Sequence, residues 1–129
     1  MIDYLGGDFL YSILSTTSAI TAIVSTSIYN AVLIPASDTN KRTINYYPIT
    51  PYDPNLNYLQ ITWSVNCRHE TYDGSRSLAE LVTNAINRKF ATVNTKLHFA
   101  TITILSTLPP ADDTDVYNTP VDVIIKRRA

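Results

Sequence analysis

Residues 59–68 read Leu-Gln-Ile-Thr-Trp-Ser-Val-Asn-Cys-Arg. Leu59, Ile61, Trp63, Val65 and Cys67 alternate with Gln60, Thr62, Ser64, Asn66 and Arg68. Successive side chains of a strand point to opposite faces, so this is a strand with one apolar, buried face and one polar face. A turn signal follows at Tyr72-Asp73-Gly74-Ser75. Over 76–90, Leu78, Leu81, Val82, Ala85, Ile86 and Phe90 recur at helical spacing. Ser77 and Glu80 stand at capping-box spacing, and Asp73 or Ser75 is an equally good cap.

Upstream of that unit, Pro48, Pro51 and Pro54 each remove a backbone donor and fix φ, so 48–55 is a stiff loop and not an inner strand. Residues 43–47 are β-prone, and 30–42 read as irregular with an extended piece at 32–34. Ile2, Leu5, Phe9, Ile13 and Leu14 recur at spacings that suggest a first amphipathic helix, with Asp8 as a cap that delays its start past Gly6-Gly7. Thr17 or Ser18 caps a short second helix bearing Ile20, Ile23 and Val24. Downstream, 94–96 is a turn, 97–105 a strand and 106–115 a loop. Residues 116–126 form a last strand in which Pro120 calls for a bulge or an edge. The expected fold is a single α+β domain over 1–129. It has about four strands, largely antiparallel, with the helices packed on one face.

The net charge of −1 gives no electrostatic reason to expect tight binding to nucleic acid or a membrane. No apolar run reaches the roughly 18 to 20 residues that a membrane span needs, and 1–12 lack the basic start of a secretory signal. The single cysteine excludes an intrachain disulfide and fits a reducing compartment. Charged residues make up only 16%, against about 25% for an average domain, which leaves surface that is polar but uncharged, or apolar and covered by a partner.

Cys67 and His69 share a strand face with Trp63 and Val65, so they read as core groups and not as a nucleophile and its base. Zinc needs four ligands, and His98 is the only other histidine. Asp112, Asp113 and Asp115 lack the spacing of an EF-hand loop and read as solvated. No phosphate-cradling glycine loop, G-x-S-x-G or H-E-x-x-H pattern is present. No catalytic residue, metal site or cofactor is therefore expected. Tyr46, Tyr47, Tyr52 and Tyr58, four of nine tyrosines, crowd around the prolines. Tyrosine is enriched at protein interfaces, so this stretch is a candidate contact region, with Tyr46 expected in the core.

The order of elements resembles the bacteriophage tail-completion family, the tail-terminator proteins of long-tailed phages. The landmarks are the helix, break and short helix ending in Ile28-Tyr29, and the Tyr-rich strand at 43–47. To these are added the strand at 60–69 with Thr71-Tyr72 running into Ser77-Leu78-Ala79-Glu80-Leu81-Val82, and the closing Val121-Asp122-Val123. Family members often carry a basic residue before the Ile-Tyr pair, where this chain has Ser27, and 30–42 has no clear counterpart. A head-tail connector or stopper protein of the neck is the alternative.

The resemblance implies a structural virion protein, assembled in a host cytoplasm. It implies a homo-oligomeric ring, commonly a hexamer, that caps the tail tube and meets the head connector while DNA passes through the lumen without specific binding. The contact residues expected are Tyr47, Tyr52, Tyr58, Arg68, Lys126, Arg127 and Arg128. The polar face at Thr62, Ser64, Asn66 and Arg68 is expected to meet a neighbour or the lumen. A small ligand-binding module or enzyme is the reading from another class.

Overall fold

The computed structural model describes residues 6–49, 53–54, 58–93, 96–110 and 115–128, with the backbone alone at 53, 54, 58, 59, 96, 127 and 128. Three helices, α1 (Gly7–Thr16), α2 (Ser18–Val24) and α3 (Tyr72–Ile86), cover one face of a sheet. Its strands are β1 (Ile28–Tyr29), β2 (Thr43–Pro48), β3 (Asp53–Pro54), β4 (Tyr58–His69), β5 (Phe90–Val93), β6 (Lys96–Ile104) and β7 (Tyr117–Arg128). They lie in the order β1-β2-β4-β7-β6-β5, and β3 pairs β4 beyond the end of β2. All pairings are antiparallel except β1 with β2.

The class and the one-sided helices are as expected. The strand count is larger because β1 and β3 are two-residue strands made by pairing, and because Phe90, read as a helix residue, opens the strand β5. The alternating strand β4 is the spine. Ile61, Trp63, Val65 and Cys67 are all buried against the helices. They meet Val121, Val123 and Ile125 of β7, with Phe9, Leu10 and Leu14 of α1 and Leu78, Val82 and Ile86 of α3 above them. Phe9 stacks on the His98 ring at 5.2 Å, which seats α1 over β6. Tyr46 is buried and tilts against Trp63 at 5.9 Å, in the core as expected.

Pro120 lies in a central strand with no bulge, since the β4–β7 register runs unbroken from Tyr58↔Arg128 to His69↔Tyr117. The carbonyl of Pro120 accepts from Leu105 N at 3.0 Å, so the nitrogen on the same side points past the end of β6 and removes no donor from the β4 ladder.

The helix expected over 76–90 begins and ends earlier. Its cap is Thr71, whose hydroxyl accepts from Gly74 N at 3.0 Å, and the supposed turn 72–75 is its first turn. The helix stops at Ile86 because Arg88 takes φ 60°. Arg88 N then donates to Ala100 O at 2.8 Å and Ala100 N to Lys89 O at 3.1 Å, which lays the chain alongside β6 and makes Phe90 a strand residue. At the first helix, the residue before α1 is Gly6 at φ 100°, with Asp8 inside the first turn. Thr17 does precede α2, but its hydroxyl reaches back to Ile13 O at 2.7 Å instead of capping.

Candidate functional site

The strand-to-helix corner after β4 is built from His69, Thr71 and Gly74. Thr71 N donates to His69 Nδ1 at 3.1 Å, which requires that nitrogen to be unprotonated. Burial, helped by the Arg42 charge, lowers the His69 pKa and keeps the ring neutral, while Glu70 opposes this. Ser75 Oγ donates to Cys67 O at 2.8 Å and meets Thr119 Oγ1 at 2.8 Å, so the helix start is fastened to two strands.

Cys67 is fully buried, and burial pushes its thiol far above the ordinary range. A thiol that is not ionised and not accessible is not a nucleophile. The native chain is expected to resist a thiol reagent and to react once denaturant is added. Fast modification of the native chain would contradict the burial. The described residues hold no group of three or more His, Cys, Asp or Glu placed to share a metal ion. No single described helix is long and apolar enough to cross a membrane, and α1 and α2 are bent 85° from one another.

The sheet face away from the helices carries the features that stand out. By register it holds Thr43, Asn45 and Tyr47 of β2 and Thr62, Ser64, Asn66 and Arg68 of β4. It also holds Asn118, Asp122, Ile124 and Lys126 of β7, Leu97, Phe99, Thr101 and Thr103 of β6, and Phe90 of β5. The middle of this face is already occupied. Ser64 and Asn66 are buried within the single chain, with Asn66 Nδ2 donating to Ser64 Oγ at 3.3 Å and Asn118 Nδ2 to Asn66 Oδ1 at 2.8 Å. The expectation that this polar face meets a neighbour or a lumen is thereby corrected for those two residues.

At the β2 end, Asn45 Nδ2 donates to Ala31 O at 3.2 Å and Val32 O at 3.1 Å, drawing the 30–34 loop over the same face. Val32 and Leu33 project from it, 64% and 80% exposed. The loop is pinned from its far side by Asp38. Its carboxylate accepts from Ser27 Oγ at 2.7 Å, from the Tyr29 hydroxyl, and from Asn40 N at 2.8 Å. Asn40 Nδ2 reaches Ser27 Oγ at 3.2 Å, and Asn40 Oδ1 accepts from Arg42 N at 3.0 Å. The residues that looked irregular in sequence form an ordered latch.

The Tyr29 hydrogen bond, then those of Ser27 and Asn40, hold the Asp38 carboxyl below its usual range. The folded-state value lies below the unfolded one. The latch therefore contributes fully above about pH 4 and is lost as pH falls through the lowered folded value. An Asp38→Ala chain is expected to be cut within 30–42 by protease faster than the wild type at neutral pH, with unchanged far-ultraviolet dichroism. Equal cutting would take the latch out of the account.

At the opposite edge, Phe90 of β5 lies directly across from Phe99 of β6. Leu97 follows on the same side, and Ile124 of β7 pairs with Thr101 next to Phe99. All four are exposed, Phe90 at 67%. Lys126, exposed, borders the cluster opposite Phe99.

Of the residues singled out from sequence, Tyr47 is half-buried on β2 opposite Ser64, and Arg68 half-buried at the far end of β4. Tyr52 lies outside the described residues, as do Asp112 and Asp113. Tyr58, Arg127 and Arg128 are described by backbone alone, with Tyr58 paired to Arg128. Arg68 stands ten residues beyond Tyr58 on one strand, roughly 33 Å at about 3.3 Å per residue, so these side chains do not form one patch. The exposed Phe90 was missed because it continues the helical spacing of Ile86. The β-prone Phe90-Ala91-Thr92-Val93 before a turn signal was the available clue.

No protein-family model matches the chain, and no curated protein matches its sequence. Among solved structures, a chain of the particle described as "Virion of native gene transfer agent (GTA) particle" shares the fold. The TM-score is 0.70 at 12% identity, over 93% of this chain and 92% of that one.

Proposed function

We propose that this chain is a structural virion protein, a tail terminator that forms a ring, caps the tail tube and joins it to the head connector. The observation that carries the reading is the likeness in fold, end to end, to a chain of a phage-like virion particle. Three features support it. Among the described residues, apolar side chains are exposed at several places, among them Val32–Leu33 and the Phe90–Leu97–Phe99–Ile124 face, which suits a subunit of an assembly. The single cysteine, Cys67, is buried in the core. The near-neutral charge suits a channel that DNA must pass without sticking.

Tyr47, Tyr52, Tyr58, Arg68, Lys126, Arg127 and Arg128 remain the proposed contacts with neighbouring subunits, tail tube or connector. Tyr58 and Arg68 stand at opposite ends of β4, so the proposed contacts serve more than one of these neighbours.

The test is a particle lacking this protein, viewed by electron microscopy. A terminator's absence leaves tail tubes that grow past their normal length. Tails of normal length without heads would assign the chain to the connector or stopper class instead. Intact particles would remove both readings.

A further inference from the structure

We infer that His69 is an acid-sensitive switch: a proton taken up at Nδ1 exchanges the Thr71 amide for the Glu70 carboxylate and releases the first turn of α3.

The ring sits where the strand β4 becomes the helix α3. Its Nδ1 accepts from Thr71 N at 3.1 Å and lies 3.1 Å from the Thr71 hydroxyl, which caps α3 by accepting from Gly74 N at 3.0 Å. With Nδ1 as an acceptor, the neutral ring carries its proton on Nε2, and a second proton can enter only at Nδ1. That proton leaves the Thr71 N–H facing another N–H in place of an acceptor. Thr71 must then move, and the cap moves with it, because both bonds belong to one residue. The imidazolium would also stand at the positive end of the α3 dipole. Gly74 closes the helix side, with no room for a Cβ between it and the ring, so the ring cannot escape in that direction. The His69 side chain is 11% exposed, enough for a proton to reach it without unfolding of the chain.

The new N–H has a partner at hand. Glu70 Oε1 lies 3.8 Å from Nδ1, and the same oxygen accepts from Arg42 Nε. The other titratable and charged groups around the corner are Lys41 before β2, Tyr72 and Asp73 on the first turn of α3, and Tyr117, paired to His69 on β7, with Asp115 before it. Lys41 is engaged with Asp115 at 3.4 Å, and Arg76 of α3 reaches the Leu105 carbonyl. Burial and then the Arg42 charge hold the folded ring below the ordinary histidine value, against Glu70. Because the folded value lies below the unfolded one, the corner is fully stable above about pH 6.5 and loses stability as pH falls through the folded value.

The test follows the ring by NMR of histidine-labelled protein and the corner by hydrogen exchange with mass spectrometry, between about pH 7.5 and 4.5. Protection of peptides covering 70–76, corrected for the intrinsic pH dependence of exchange, is expected to fall by up to about tenfold per pH unit below about pH 6.5, while the middle of β4 stays protected. His69→Asn places an amide oxygen where Nδ1 stood, an acceptor that does not titrate. In that variant the protection is expected to stay level, and its spectrum assigns the two histidine signals. Glu70→Gln removes the partner of the new N–H and is expected to move the His69 midpoint to lower pH. Level protection in the wild type while the ring titrates would overturn the switch, as would a ring that stays neutral until the whole chain unfolds. An equal loss of protection in His69→Asn would overturn it too, since another group would then be responsible. An unchanged midpoint in Glu70→Gln would overturn the exchange of partners.

Discussion

Gly74→Ala is expected to destabilise the protein by about 2–3 kcal/mol, even though the site is helical. Alanine in a helix is ordinarily better than glycine by about 1 kcal/mol, so without a clash the substitution would stabilise. The clash decides the sign. A Cβ at Gly74 would overlap Nδ1, Cε1 and Cγ of the His69 ring. That ring is buried and held by Thr71 N and the Thr71 hydroxyl, the group that also caps α3. Moving the ring therefore loosens the cap as well. Denaturant melts of Gly74→Ala, His69→Ala and the double variant separate the terms. The cost of Gly74→Ala should largely vanish, or become a gain, once the ring is gone. A full cost in the His69→Ala background would place the strain elsewhere.

The larger loss is expected from Phe9→Ala, about 3–5 kcal/mol, or roughly 10 to 20 °C in melting temperature. Phe9 is fully buried and stacks on His98, with ring planes 10° apart. It joins α1 to β6, and Gly6 just before it packs so closely that a Cβ there would stand 2.8 Å from Ile125 Cδ1. The helix entry has no room to slide inward and refill the cavity. Against a typical stability of about 5–15 kcal/mol, the loss leaves a small margin. A drop under 1 kcal/mol in a thermal or urea melt would mean that α1 repacks freely, contrary to this description.

The long elements were legible in the sequence because each carries its own period. β4 alternates strictly, and α3 shows an apolar stripe over four turns. The last strand was readable despite Pro120, but its place at the centre of the sheet was not. Only the register shows that β6 has already ended where the proline's nitrogen points. β1 and β3, two residues each, are too short to leave a pattern and exist because a neighbour pairs with them. The latch around Asp38 was hidden for a similar reason. Ser27, Tyr29, Asp38 and Asn40 are ordinary polar residues until the turn after β1 brings them together.

The candidate surface was legible only in part. Tyrosines and basic residues were singled out by type, while the exposed apolar face was concealed by Phe90, which keeps step with Ile86 as a helix residue would. Low charge pointed to surface that is polar but uncharged, or apolar and covered by a partner, but composition does not say where such surface lies.

The measurement that tests the central claim most directly is negative-stain electron microscopy of the purified protein at high concentration, alone and with tail tubes lacking their terminal protein. The account predicts rings with an open centre, free or seated on the tube end, whose rotational symmetry gives the subunit number. Particles of single-chain size in both samples, with tube ends left bare, would contradict it.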